Sequence, residues 1–212
     1  MISFIYPYLE ERKALFDLTL ASLEAQTDKD FEVIKVNVTG TNPSQAQNEG
    51  VKKAKGDIIV LTSPEVVNAP TNVAEMKKLP DNTFWIGWVT EQEASTITSM
   101  AKESLKSHKE MRGFGAKCTD KTWADWKYFI GVIHKDDYLK AGGMDEEFMK
   151  GIAYEDRDFA LRVKLAGIKA EFNPDIVGIH LSHSRAYQNT GDKERAINRE
   201  YFFAKRKKLL GC

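Results

Sequence analysis

Apolar and polar residues fall in short blocks along this chain. Ile2 to Tyr6 is an apolar run closed by Pro7, and Arg12 to Gln26 then carries Leu15, Leu18 and Leu23 at helical spacing, which predicts strand, loop and helix. Phe31 to Val38 is rich in β-branched residues and predicts a second strand, broken by Thr39-Gly40-Thr41-Asn42-Pro43. Ser44 to Ala54 predicts a helix with Gly50 inside it. Past Gly56, the segment Asp57 to Thr62 is apolar enough to be a strand buried on both faces. Strands that alternate with helices imply parallel pairing through right-handed crossovers, hence a doubly wound, mainly parallel α/β sheet with helices on both faces. Ligands of such sheets bind beyond the carboxyl ends of the strands, which points to Pro7, Asn37 and the segment Thr62 to Glu65.

The second half is less regular. Thr83 to Thr90 reads as a strand and Glu91 to Met111 as a polar surface helix. Gly113 to Trp126, rich in Gly, Lys and aromatics, reads as a loop able to cover a substrate, with Trp123 and Trp126 either stacking on a sugar or base or simply packing. Tyr128 to His134 predicts a strand, Lys135 to Ala141 a short helix, and Gly142-Gly143-Met144-Asp145 a turn. Ala170 to His183 returns to the sheet, with Asn173-Pro174-Asp175 as its break. Asp192 to Leu210 is helical in composition and carries seven Lys/Arg against three Asp/Glu, which suits a solvated face on a packing helix or contact with a membrane surface or anionic acceptor.

Between these elements lies a run of acids. Glu155, Asp156 and Asp158 open a helical pattern in which Phe159, Val163 and Ala166 share a face and Gly167 stops the helix. Acids there are stabilised by free N–H groups and the helix dipole, and Asp158 can pair with Arg162 one turn on. The same placement suits a carboxylate that takes a proton from an incoming hydroxyl, with a downstream histidine holding a cation.

Composition narrows the classes. A chain of 212 residues, 42% apolar, buries a good core and suggests one domain. Lys+Arg and Asp+Glu are equal at 31 each, so no overall field favours nucleic acid or an acidic membrane. Cys118 and Cys212 are too few and too far apart in sequence for a disulfide framework or a cysteine metal site, which fits a reducing compartment. No apolar run approaches the roughly 20 residues that span a bilayer, and no basic region with a signal-type core opens the chain. These features predict a soluble, cytoplasmic protein without a stable membrane span, the basic tail being where a peripheral membrane contact would form.

Several stretches, in order along nearly the whole chain, resemble the family 2 inverting glycosyltransferases of the GT-A fold. They are Ile5-Tyr6-Pro7, Leu20 to Thr27, Phe31 to Ile34, Ala46 to Gly50, Ala54 to Asp57, Gly142 to Glu146, and Glu155-Asp156. With His183-Ser184-Arg185 following, the second half is similar to galactosyltransferase and chondroitin-polymerase domains. The resemblance implies a Rossmann-like GT-A domain over residues 1–190, with a nucleotide-binding half over 1–90 and an acceptor and catalytic half over 91–190, then a basic helix over 191–212.

It also implies roles. The family's cation-binding Asp-x-Asp stands here as Ser63-Pro64-Glu65, so Glu65 keeps the metal-ligand position and Ser63 offers only a hydroxyl. An acid that contacts the base at the end of strand two is replaced by Asn37, whose amide can still meet a uracil edge. Pro7, Tyr8, Asn37, Asn48 and Ser63 are the implied nucleotide contacts. Glu65 and His183, with His180, are the implied ligands of Mn²⁺ or Mg²⁺. His180 and His183 would face opposite sides of a continuous strand, so both reach one ion only if the backbone turns there. Asp156 is the implied general base, Glu155 orients the acceptor and Asp158 supports the loop. The implied activity is transfer of a sugar, with inversion, from a nucleotide-sugar, chiefly a UDP-sugar, to an acceptor hydroxyl. That acceptor is left open among a glycan, a lipid-linked sugar, a protein and a modified nucleic-acid base. The loss of one acid at Ser63 instead favours a catalytically silent nucleotide- or glycan-binding module. A nucleotidyltransferase would share the sheet, but no Gly-rich phosphate loop with a Lys follows strand one.

Overall fold

The structure is a computed structural model and describes residues 1–38, 42–92, 128–183 and 192–211. The Gly113 to Trp126 loop with Trp123 and Trp126, the segment from 93 to 111 assigned to a helix, and Arg185 lie outside the described residues.

Strand β1 (Ile2–Tyr8) is followed by a 3₁₀ turn (Glu10–Arg12) and helix α1 (Lys13–Glu24), then β2 (Phe31–Asn37), α2 (Ser44–Lys53) and β3 (Ile58–Thr62). The two parallel ladders place β1 between β2 and β3. Burial on both faces explains the unbroken apolar runs: Phe4, Tyr6 and Tyr8 of β1 pack with Phe16 and Leu23 of α1, while Ile5 packs on the opposite side with Val51 and Ala54. Gly50 allows that contact, since a Cβ there would lie 2.3 Å from Ile5 Cγ2. β1 therefore sits at a switch in strand order, the position at which sheets of this kind bind ligands beyond the carboxyl ends of the strands.

The remaining strands are β4 (Val66–Asn68), β5 (Thr83–Gln92), β6 (Ile130–His134) and β7 (Lys169–Leu181). Helices α3 (Asn72–Met76), α4 (Lys135–Lys140), α5 (Glu155–Leu165) and α6 (Asp192–Leu210) join them, with a 3₁₀ turn at Glu146–Lys150. The seven-stranded sheet has the order β2-β1-β3-β6-β5-β7-β4. Five strands run one way, and β6 and β4 run against them. Helices α2, α4 and α5 cover one face and α1 and α3 the other.

Two sequence expectations change. Glu91 and Gln92 continue β5 instead of starting a helix, because they pair with His180 and Leu181 of β7. Asn173-Pro174-Asp175 does not end the last strand. The partner of Gly87 is Asn173 and that of Trp88 is Val177, so the extra residues loop out as a bulge. Asn173 Oδ1 accepts the Asp175 N–H at 2.9 Å within it, and a Cβ on Gly87 would come within 2.9 Å of Ile176.

Helix α6 packs along the acidic segment. Phe202 is buried with Phe148 and Tyr154, and Asn198, fully buried, donates through Nδ2 to the carbonyls of Phe148 and Ala153 at 2.9 and 2.8 Å. Lys205 reaches Asp145 at 2.7 Å and Asp158 at 2.8 Å. Truncation of Phe202 to Ala removes the aromatic at the centre of this seam and is expected to cost about 3–5 kcal/mol. Urea unfolding of the two proteins measures the loss, and a difference below about 1 kcal/mol would show that α6 is not cooperative with the rest.

Candidate functional site

Two groups of side chains assemble, each positioned by backbone pairing. The first gathers at the turn between β3 and β4. Val66 N–H bonds the Ser63 carbonyl at 3.2 Å, and Thr19 Oγ1 on α1 donates to the Pro64 carbonyl at 2.7 Å, which pins the Ser63-Pro64-Glu65 turn. The β4–β7 ladder sets Val66 opposite His180, and Leu181 N–H bonds the Glu65 carbonyl at 2.8 Å. β7 ends at Leu181, so the alternation that would separate His180 from His183 stops between them. One ligand atom each from Glu65, His180 and His183 lies within 4.8 Å of the others.

The surroundings of this trio are close-packed. His180 is buried, its ring 4.3 Å from that of Phe129 and 5.2 Å from that of His183. Its Nδ1 lies 3.8 Å from Glu91 Oε1. Glu65 is buried too, and its Oε1 lies 3.7 Å from His183 Nε2 and 3.4 Å from the Nε of Arg12. A carboxylate and two imidazoles form an O/N donor set of the kind that takes a divalent transition ion. Arg12, which the sequence reading passed over as the start of a helix, is the added feature.

Tyr8 and Asn37 are register partners at the carboxyl ends of β1 and β2. Pro7 precedes them, Lys35 Nζ lies 4.0 Å above the Tyr8 ring, and Tyr8 Oη donates to Glu10 at 3.0 Å. Ser63 Oγ is buried and finds no hydrogen-bond partner among the described residues. Asn48 is engaged elsewhere: it donates to the Met144 carbonyl and to Glu146, and accepts from Tyr138 Oη and Met144 N–H at 2.6 and 2.8 Å. Its side chain clamps the Gly142–Glu146 turn to α2, and that turn takes up left-handed backbone at Gly142 and Gly143 (φ 85° and 64°).

The second group is the acid pair. Glu155, Asp156 and Asp158 occupy the first turn of α5. The two residues before them, Ala153 and Tyr154, both have positive φ (65° and 74°). Non-glycine residues in this region cost about 1–3 kcal/mol each and persist only when their surroundings hold them. Here Asn198 holds the Ala153 carbonyl, Tyr154 packs on Phe202, and the Arg157 guanidinium lies 5.1 Å from the Tyr154 ring centre. Asp158 is buried and ion-paired with Arg162 at 2.7 Å, and Arg162 also donates to the carbonyls of Ala141 and Gly143. Asp158 thus braces loops, while Glu155 and Asp156 remain at the helix mouth.

The pair is electrostatically uneven. Burial and then the neighbouring Asp156 charge push the Glu155 carboxyl up to about 7, against hydrogen bonds that favour its charged form, among them one from Asn42 Nδ2 at 3.0 Å. Asn42 is buried and accepts from Ser44 N–H and Oγ, so it ties the segment after β2 to the acid pair. Asp156 accepts the Arg157 N–H at 2.8 Å. The buried Tyr128 phenol is held well above its ordinary range by burial and by the charge of Asp156. Sequence reasoning missed Asn42, Tyr128, Asn198 and Lys205: Asn42, Asn198 and Lys205 bond to the acid segment from far along the chain, and Tyr128 is linked to it through the charge of Asp156.

No protein-family model matches the chain, and no curated protein matches its sequence. Solved structures share its fold at low identity. The mannosyltransferase PcManGT from Pyrobaculum calidifontis, in complex with GDP-Man and Mn²⁺, aligns with a TM-score of 0.60 and 16% identity over 98% of this chain and 64% of that one. The catalytic domain of Drosophila β1,4-galactosyltransferase 7 with xylobiose aligns at 0.58 and 13%, over 93% and 79%. Residues 1–349 of S. aureus TarS with UDP align at 0.59 and 12%, over 85% and 60%. The chain spans 36% of a longer TarS structure. The fold is that of the GT-A glycosyltransferases.

The raised Glu155 carboxyl has a signed consequence for stability. Between its ordinary value of 4.5 and about 7, the unfolded chain releases a proton that the folded one keeps, so stability falls as pH rises through that window. Replacing Glu155 by Gln removes this contribution, so the stability of wild type relative to Glu155→Gln is expected to decline from pH 4.5 to about 7 and then level off. Asn42→Ala deletes a donor to the charged form and is expected to move Glu155 higher still in a carbon-13 carboxyl titration. An unchanged midpoint would remove Asn42 from the account.

Proposed function

We propose that the protein is an inverting glycosyltransferase that moves a sugar from a nucleoside-diphosphate donor, a UDP-sugar, to an acceptor hydroxyl. The observation that carries this reading is the convergence of Glu65, His180 and His183 at the carboxyl edge of a GT-A sheet whose acceptor-side helix begins with Glu155-Asp156. The solved relatives include proteins bound to UDP, GDP-Man and Mn²⁺, which supports a nucleotide-sugar donor and a cation here.

The donor end follows from charge. Tyr8 and Asn37 mark where the base would lie, and the Ser63 hydroxyl, buried at the β3–β4 turn and unpartnered among the described residues, is the group assigned to the ribose side. Glu65, His180 and His183 would hold a divalent ion, and two imidazoles with one carboxylate suit Mn²⁺ better than Mg²⁺, which prefers an all-oxygen shell. When bound, such an ion neutralises charge building on the departing diphosphate.

The acceptor end follows from the uneven acids. Two adjacent carboxyls resist double ionisation, and burial with the neighbouring Asp156 charge keeps the Glu155 proton on into the neutral range. Asp156, charged, takes the proton of the acceptor hydroxyl as its oxygen attacks the anomeric carbon opposite the leaving diphosphate, which inverts that centre. Glu155 orients the same hydroxyl. A catalytically silent binding module is the second reading, favoured by Ser63 in place of an acid and by the approach of Arg12 to Glu65.

Calorimetric titration of UDP and of GDP, with and without Mn²⁺, tests the donor side. Metal-dependent UDP binding that is lost in Glu65→Ala is expected, and binding of neither nucleotide with either protein would overturn the reading. Asp156→Asn should leave UDP binding intact and lower UDP release from UDP-sugars by about 10²–10⁴-fold, the usual contribution of a general base. A turnover unchanged in that variant would place the base elsewhere.

A further inference from the structure

Arg12 approaches the carboxylate that the proposed ion needs, and the geometry suggests an exchange. Its Nε lies 3.4 Å from Glu65 Oε1, the same oxygen that faces His183 Nε2 at 3.7 Å. Both partners are largely withdrawn from water, with side-chain exposures of 14% for Arg12 and 8% for Glu65. A buried carboxylate needs a compensating charge, and the guanidinium provides one. The backbone supports this placement: the 3₁₀ turn Glu10–Arg12 carries the chain off the end of β1, and Arg12 closes it immediately before α1.

The local charge balance then limits what else can enter. With Ser63 at the position of a second acid, Glu65 is the single carboxylate of the trio. A divalent cation added to neutral His180 and His183, to Glu65, to Arg12 and to Glu91 beside His180 would leave a net charge of one positive unit in a confined space, from +2, +1, −1 and −1. Like charges at that separation disfavour one another strongly. Ion and guanidinium therefore compete for Glu65, and the balance tips to the ion when further negative charge arrives, which a nucleoside diphosphate brings.

We infer that Arg12 is an exchangeable counter-cation: it holds Glu65 while the site lacks donor and yields that carboxylate to the divalent ion when the donor's diphosphate enters. This rests on the metal-dependent donor reading above and adds to it a thermodynamic coupling. The ion binds weakly by itself, the diphosphate binds weakly by itself, and each strengthens the other by an equal factor.

The test is a Mn²⁺ titration followed by the paramagnetic resonance of the free ion, on the whole protein, with and without UDP. Wild type should bind Mn²⁺ weakly alone and markedly tighter with UDP. Arg12→Gln should bind Mn²⁺ alone about tenfold tighter than wild type and show a smaller gain from UDP. Arg12→Lys, which keeps the charge, should stay near wild type, and thermal unfolding of all three proteins shows whether each is folded. Equal Mn²⁺ affinity of wild type and Arg12→Gln without nucleotide would overturn the exchange while leaving the metal site standing. Should Arg12→Gln fail to fold, wild type still decides: Mn²⁺ binding that is the same with and without UDP overturns the exchange. No Mn²⁺ binding by any of the proteins under either condition would overturn the metal reading together with this inference.

Discussion

The pairing of β7 is the constraint on which the candidate site depends. This thirteen-residue strand must satisfy its backbone hydrogen bonds, and it does so against β5 on one side and β4 on the other. That double pairing brings three distant carboxyl and imidazole groups together. Opposite β4 it sets His180 beside the residue that follows Glu65, and opposite β5 it sets His180 beside Glu91. The bulge at Asn173–Ile176 keeps the ladder in phase across the whole sheet, with Gly87 giving Ile176 room. A strand broken at Pro174 would leave the carboxyl end of β7 without register, and His180 and His183 without a fixed relation to Glu65.

A second constraint acts on the acid pair. The left-handed conformations of Ala153 and Tyr154 are unfavourable in isolation, and helix α6 over-determines them through Asn198, Phe202 and the Lys205 bridges to Asp145 and Asp158. The basic tail is thus joined to helix α5 by buried contacts. Its outer face still presents Ile197, Phe203 and Leu210 to solvent. None of the helices among the described residues is long and apolar enough to cross a membrane.

Electrostatically the two halves are opposites. At the β3–β4 turn one carboxylate is shared between a guanidinium and an imidazole, whereas at the mouth of α5 two carboxyls stand side by side and one is driven toward its neutral form. The first arrangement favours binding an anion together with a cation, the second favours moving a proton. Both demands fit the transfer proposed above, in which a diphosphate would leave as a hydroxyl attacks.

Local pattern alone determined the first three strands and their two crossovers: β1 and β3, buried along their whole length, are largely apolar, β2 at the sheet edge is rich in β-branched residues, and the break after β2 carries Gly, Asn and Pro. It also placed the acids on the first turn of α5, while Glu65 and His183 were marked by the resemblance to the glycosyltransferase family. The reversed strands β4 and β6, the bulge in β7, the turn that lets His180 join His183, and the partners Arg12, Asn42, Asn198 and Lys205 were decided only in the tertiary structure. β4 is three residues long and leaves no periodicity to read. Asn42 sits 113 residues from Glu155, and Asn198 sits 45 from Ala153. Contacts at such separations depend on which elements pack together, and no local spacing encodes that.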